Sequence, residues 1–304
     1  MQYQILGKTG YRISRVIYGG IVSADRYGGV VMPGDGQKDS DDHVAWAVEH
    51  GVNYFDVAPS YGDAEERLGR SLIPYRDRVY LACKTTIREG EGAAKEMERS
   101  LKLLHTGYFD VYQLHAVSSM EDVERAFAPG GVMEVIRREK ERGTIRRVGI
   151  TAHSEKAAIR AIGLYDFDTV LFPFNWHMNM EYGMGNALLK EARARGMGVL
   201  CMKSMIERAW LPGEQEGSKY PKSWCRPFDV SEDAEILLAA VGYALSLGVD
   251  AIVPPGNFDH FRFGVEHIDE ALAAGCGEEE RRILQERLNT VRAYPFFDES
   301  AYTL

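Results

Sequence analysis

Cysteine is scarce and scattered in this chain. Only Cys83, Cys201, Cys225 and Cys276 occur among 304 residues, too far apart to make a close-spaced metal motif or a disulfide framework. A reducing cytoplasm is the expected setting. No apolar run approaches a membrane span, and the opening MQYQILGKTG lacks the apolar segment of a secretion signal. Positive charge is not in excess either, and a formal net charge of -9 speaks against a nucleic-acid surface. What is present is ordinary globular composition, 45% hydrophobic and 27% charged. A soluble protein with no membrane and no nucleic-acid partner is expected.

One further absence bears on the fold. A strand–helix rhythm fills the chain, yet no glycine-rich fingerprint of a doubly wound sheet follows the first strand. The opening QYQILGKTGYRIS reads as a hairpin turned at Lys8-Thr9-Gly10. Core strands are expected at Arg15–Tyr18, Val52–Phe55, Arg78–Ala82, Phe109–Leu114, Ile145–Ile150, Thr169–Phe172, Gly198–Met202 and Ala251–Val253. A glycine-rich loop, with Tyr27-Gly28-Gly29 and Pro33-Gly34-Asp35-Gly36, follows the first. Helical patterns fall between strands, among them 64–72, 132–142, 184–195 and 232–247. Eight such units with right-handed crossovers close an α/β parallel barrel, the (β/α)8 TIM barrel, here expected as one domain over 1–304 with a short N-terminal β-hairpin. The doubly wound sheet is the competing architecture. Ile206 to Val230 breaks the rhythm and reads as a working loop beside the active rim.

Polar residues close three consecutive apolar runs: Asp56 with Tyr61 in NYFDVAPSYG, Lys84 in RVYLACKT, and His115 in FDVYQLH. In a parallel barrel these strand ends converge on one rim. Taken singly, an aspartate there is commonly a helix cap, a tyrosine a core wall, a lysine solvated and a histidine structural. Together they suit proton transfer. A phenol with a pKa of about 10 is a poor acid at neutral pH. An adjacent ammonium lowers that value, and a carboxylate makes burial of the ammonium tolerable. Tyr61 then gives a proton to an oxygen gaining negative charge, Lys84 tunes it, Asp56 holds Lys84, and His115 orients the oxygen.

The pattern Asp56, Ala58, Tyr61, Gly62, then Leu68-Gly69, with Lys84 and Leu114-His115, resembles the aldo-keto reductase superfamily. That resemblance implies a (β/α)8 barrel, nicotinamide-dependent reduction of an aldehyde, ketone or sugar carbonyl, and oxidation of the alcohol in reverse. It makes Asp56, Tyr61, Lys84 and His115 the catalytic residues. It places the cofactor along Gly20, Ile21, Asp56, Thr151, Ala152, Leu171, Met202, Lys203, Gly256, Asn257, Arg262 and Glu266. Thr151 matches the hydroxyl residue that contacts the carboxamide, but Ala152 replaces the usual asparagine and Leu171 the usual glutamine. Met202 stands where an aromatic ring often stacks on nicotinamide, and Lys203 beside Ser204 can attract the pyrophosphate. Arg262 matches the residue that holds adenine and a ribose 2′-phosphate, which favours NADP over NAD. Gly256 replaces the usual lysine and Glu266 the usual asparagine, so NAD stays open.

The Tyr27 loop, Trp176, His177, Trp210, Tyr220 and Trp224 are expected about the substrate. The tail from Val291 lacks the cysteine cluster of the iron-sulfur relatives, so neither cluster nor catalytic metal is expected. Two other functions fit the residues: a lyase using Lys84 as a Schiff-base nucleophile, and a nucleotide-sensing regulatory protein without turnover.

Overall fold

A computed structural model describes residues 1–27, 30–31 and 36–302. Eight parallel strands stand at its centre, hydrogen-bonded in chain order. They are β1 (Tyr18–Gly19), β2 (Tyr54–Asp56), β3 (Tyr80–Thr85) and β4 (Phe109–Val117), then β5 (Ile145–Ala152), β6 (Thr169–Phe172), β7 (Gly198–Met202) and β8 (Ala251–Val253). The ends of the series meet through backbone bonds of 2.9 Å, Ile17 N–H to the Ile252 carbonyl and Ile252 N–H to the Arg15 carbonyl. That contact closes the barrel, and the doubly wound sheet is excluded.

Helices surround the strands. They are α1 (Gln37–Glu49), α2 (Ala64–Leu72), α3 (Gly90–Leu103), α4 (Met120–Phe127), α5 (Val132–Arg142) and α6 (Glu155–Leu164). The second half adds α7 (Trp176–Tyr182), α8 (Asn186–Ala194), α9 (Ala234–Ser246), α10 (Phe258–Ala274) and α11 (Glu278–Val291). Period-two alternation sorts the strand side chains. Phe55, Leu81, Cys83 and Tyr112 belong to the large core shared with the helices, while Tyr54, Ala82, Val111 and Leu200 fill the barrel lumen.

The hairpin pairs Tyr3–Ile5 with Arg12–Ser14 and drives Leu6 and Ile13 into the lumen as a floor. Just above that floor, buried aspartates repeat one device. Asp110, Asp168 and Asp250 each accept a backbone N–H from the preceding strand, at Leu81 (2.9 Å), Val148 (2.8 Å) and Val199 (2.8 Å). Each also pairs with a cation, Arg76, Lys140 and Arg193 respectively. Among the described residues no helix is long and apolar enough to cross a membrane.

Several boundaries differ from the sequence expectation. Strands β2, β3 and β4 run on through Asp56, Lys84 and His115, because those polar residues face the upper lumen while the backbone keeps its ladder. The first strand is Tyr18–Gly19 and not Arg15–Tyr18, since the backbone at 15–17 pairs with β8 instead of β2. The helix expected over 184–195 forms as α8, and a further short helix, α7, precedes it, the two parted where Gly183 and Gly185 take left-handed φ of 67° and 94°. Helices α4, α7, α10 and α11 add to the expected ones. The segment from Ile206 folds into a strap, anchored by pairing of Ile206–Arg208 with Arg226–Pro227. Of the glycine-rich loop, Gly28, Gly29 and residues 32–35 lie outside the described residues.

Candidate active site

The polar ends of β2, β3 and β4 meet above the apolar lumen. Lys84 is 0% exposed and Asp56 4%, and the Lys84 ammonium donates to Asp56 Oδ2. The other carboxylate oxygen, Oδ1, accepts a 2.6 Å bond from the Gln113 side-chain amide. Burial alone would depress the Lys84 pKa, but the facing Asp56 and Tyr61 outweigh it and hold it above its ordinary value. The ammonium therefore stays charged, 5.0 Å from the centre of the Tyr61 ring.

Tyr61 leaves the loop after β2 and meets His115 edge-on, ring centres 5.8 Å apart. Burial raises its phenol pKa, with Asp56 adding to the rise, while the charge and hydrogen bond of Lys84 pull it back. In the free protein burial wins, and the phenol carries its proton. His115 is buried, and desolvation together with the cations of Lys84, Arg88 and Lys203 holds its pKa well below 6.5. It is a neutral imidazole at physiological pH, and its Nδ1 has no partner among the described residues. Arg88 fixes the backbone here, its guanidinium bonding the His115 carbonyl at 2.7 Å. Ala116, next in sequence, is left-handed at φ 53°, and its N–H donates to Thr151 Oγ1 at 2.8 Å.

Tyr61, Lys84 and His115 open onto a cleft of about 770 Å³. Of the residues expected to hold a cofactor, Ile21, Thr151, Leu171, Met202, Lys203 and Gly256 line it, whereas Gly20, Asp56 and Ala152 lie behind that surface. Asn257 faces a neighbouring hollow with Lys222 and His43, and its side-chain nitrogen is buried without a partner among the described residues. A Cβ on Gly256 would stand 2.2 Å from Ile21 Cγ2, so the close approach of the β8 and β1 loops excludes the lysine usual at this position. Arg262 and Glu266 face a separate groove between α9 and α10.

The aromatic expectations divide. Trp224, with Ser223 and Cys225 of the strap, lines the cleft. Trp210 and Tyr220 instead bind the strap to itself and to Asp229, through a 2.8 Å bond to the Ser223 carbonyl and a 3.2 Å bond to Asp229 Oδ2. Trp176 and His177 are wholly buried and brace the strap through the carbonyls of Ile206 and Glu207. Asn175 is equally committed, donating to the carbonyls of Lys203 and Ile206.

Gln113 escaped the sequence reading, although it lies two residues before His115 and therefore on the same strand face. Replacing it with leucine removes a charge-assisted hydrogen bond and leaves Asp56 free to turn from Lys84. About 2 kcal/mol of stability and about tenfold in kcat are expected to be lost. Thermal unfolding and steady-state kinetics check this, and a kcat unchanged from wild type would contradict the positioning role.

A model of the aldo/keto reductase family matches residues 28–244. Aldo-keto reductase YhdN of Bacillus subtilis is 29% identical over 228 residues, covering 70% of this chain and 65% of that protein. L-galactose dehydrogenase of Arabidopsis thaliana is 24% identical over 96% of this chain and 94% of its own length. Among solved structures, the holo form of an aldo-keto reductase from Bacillus halodurans superposes with TM-score 0.68 at 18% identity, covering 99% of both chains. The family match thus takes in β2 through β7 and the buried Asp56–Lys84 pair beneath Tyr61 and His115, and the chain belongs to the aldo/keto reductase family of NAD(P)H-dependent oxidoreductases acting on carbonyl compounds.

Proposed function

We propose that this protein reduces an aldehyde, ketone or sugar carbonyl to the alcohol, with NADPH as the preferred reductant and Tyr61 as the proton donor. The observation that carries this reading is the Tyr61 phenol ring 5.0 Å from an ammonium that is fully buried and pinned by Asp56. Reduced nicotinamide supplies a hydride to the carbonyl carbon when it is bound. The chain's residues manage the charge that this creates on oxygen. Tyr61 delivers a proton to that oxygen, and Lys84 stabilises the phenolate left behind. Asp56 and Gln113 keep Lys84 in register. Neutral His115 orients the carbonyl without competing as an acid.

The residues suit the cofactor at specific points. The orphaned Asn257 amide and the amino terminus of α10, whose cap lacks a side-chain bond, offer donors to phosphate. Lys222, reaching from the strap to the Val22 carbonyl at 3.1 Å, adds a cation beside Gly256. Thr151 is left as the hydroxyl contact to the carboxamide, with Leu171 and Met202 as apolar walls. The lyase reading is disfavoured because Lys84, ion-paired and raised in pKa, lacks the free amine that a Schiff base needs. The free thiols of Cys83, Cys201 and Cys225, all buried, support a cytoplasmic setting.

Fluorescence titration with NADPH and NADH, followed by nicotinamide oxidation against mixed aldehydes, ketones and sugars, tests the whole reading. Tight binding with substrate-dependent oxidation is expected, and binding of neither nucleotide would refute it. The NADPH preference rests on the match of Arg262 to the family's 2′-phosphate residue, against which stand the neighbouring carboxylates of Glu235, Asp259, Glu266 and Glu270, so this arginine is the one to test. Arg262→Ala should therefore weaken NADPH by at least about tenfold and NADH much less. Equal losses would remove the 2′-phosphate from the account.

A further inference from the structure

Besides the paired Lys84, the cleft holds a cation, Lys203, with no carboxylate partner among the described residues. Lys203 directly follows β7, and its backbone lies in the left-handed region at φ 64°, a conformation that a residue with a Cβ keeps only where its surroundings impose it. Asn175 imposes it here. Its amide donates bonds of 2.8 Å to the carbonyls of Lys203 and Ile206, and the Trp176 indole adds a bond of 3.0 Å to Ile206. The side chain so held lines the cleft, its ammonium 3.9 Å from Met202 Sδ and 5.4 Å from the centre of the Phe297 ring.

No carboxylate accompanies that ammonium among the described residues. The titratable groups that bear on it are the thiols of Cys225 and Cys201, and its own charge bears on His153 and His115. Asp56 is already engaged by Lys84 and Gln113. Burial lowers the Lys203 pKa, so an arriving anion would favour its charged form. An ammonium desolvated without a partner is costly, and a ligand that brings the counter-charge recovers that cost.

We propose that Lys203 anchors a carboxylate carried by the substrate, so that this cleft selects aldehydes or ketones bearing an acid group. The inference rests on the reductase reading above and narrows its substrate class. Position assigns the lysine to the substrate in preference to the pyrophosphate. Its charge bears on His115 and His153, and it stands against Phe297 of the C-terminal segment, whose ring lies 5.4 Å from that of His153, while Lys222 and the orphaned Asn257 amide offer phosphate donors of their own. Trp224, 60% exposed at the mouth, together with Ile206 and Val253, provides apolar surface for the carbon skeleton between carboxylate and carbonyl.

The test compares 4-carboxybenzaldehyde with its methyl ester, methyl 4-formylbenzoate, as NADPH-dependent substrates. Wild type should favour the acid by about tenfold in kcat/KM, mostly through KM, with Lys203→Met losing that preference and Lys203→Arg keeping part of it. Calorimetric titration of 4-(hydroxymethyl)benzoate into NADP-loaded protein reads the same contact without turnover, and binding should weaken by about tenfold in K203M. Equal use of acid and ester by wild type overturns the proposal, as does a preference that survives in K203M. A loss of NADPH affinity in K203M as large as the loss of acid binding also overturns it, and gives the lysine to the cofactor's phosphates. If neither aldehyde is reduced, the reductase reading fails, and calorimetry alone then decides the carboxylate site.

Discussion

Tyr61→Phe is expected to lower kcat for carbonyl reduction by about 10²–10⁴-fold, the range for loss of a positioned general acid. Shape and burial are kept, so NADPH titration by fluorescence should change little. Lys84, Asp56 and His115 remain in place but do not replace the acid, since Lys84 paired with Asp56 holds its proton more tightly than usual and neutral His115 is a very weak acid. The loss should therefore fall on kcat more than on KM. It should also appear in alcohol oxidation, where Tyr61 takes the proton. Reduction at the wild-type rate would falsify the role given to the phenol.

The largest effect on stability should come from breaking the ion pair beneath it. Asp56→Ala leaves the Lys84 ammonium in a site without solvent, and strips the Gln113 amide of its acceptor. Removing one partner of a buried pair costs about 3–5 kcal/mol. For a chain of this size that is a fall in Tm of roughly 5–8 °C. The double variant Asp56→Ala/Lys84→Met replaces the stranded charge with an apolar side chain of similar length. It should recover much of the stability and none of the activity. A double variant no more stable than Asp56→Ala would show that desolvated charge is not the source of the loss. Differential scanning calorimetry of the three proteins decides it.

Chemistry at the strand ends was legible because it interrupts a pattern. Asp56, Lys84 and His115 each end an apolar run, and three such interruptions in consecutive units point to one rim. Gln113 was harder to see, since it sits inside a run whose outward residues, Tyr112 and Leu114, are apolar. Its function appears only once the lumen brings it to Asp56 from 57 residues away. The tuning of Tyr61 was only half visible. Lys84 does pull its pKa down, but how far burial pushes it up depends on packing that no local pattern encodes. Trp176 and His177 misled for the opposite reason. Aromatic residues after a strand suit a pocket and a brace equally, and the carbonyls they bond belong to a strap 30 residues further on.

The three aspartates near the barrel floor have a consequence for how this protein can change. Asp110, Asp168 and Asp250 tie β4, β6 and β8 to the strands before them with bonds that owe nothing to the rim. Slippage of any of these strands by one residue would break the tie and invert every side chain above it. With alignment secured at one end, residues at the opposite end are released from keeping the strands in step. Leucine at 171 and alanine at 152 then cost the architecture nothing. The chain can trade one ligand preference for another at the top of the same, unmoved staves.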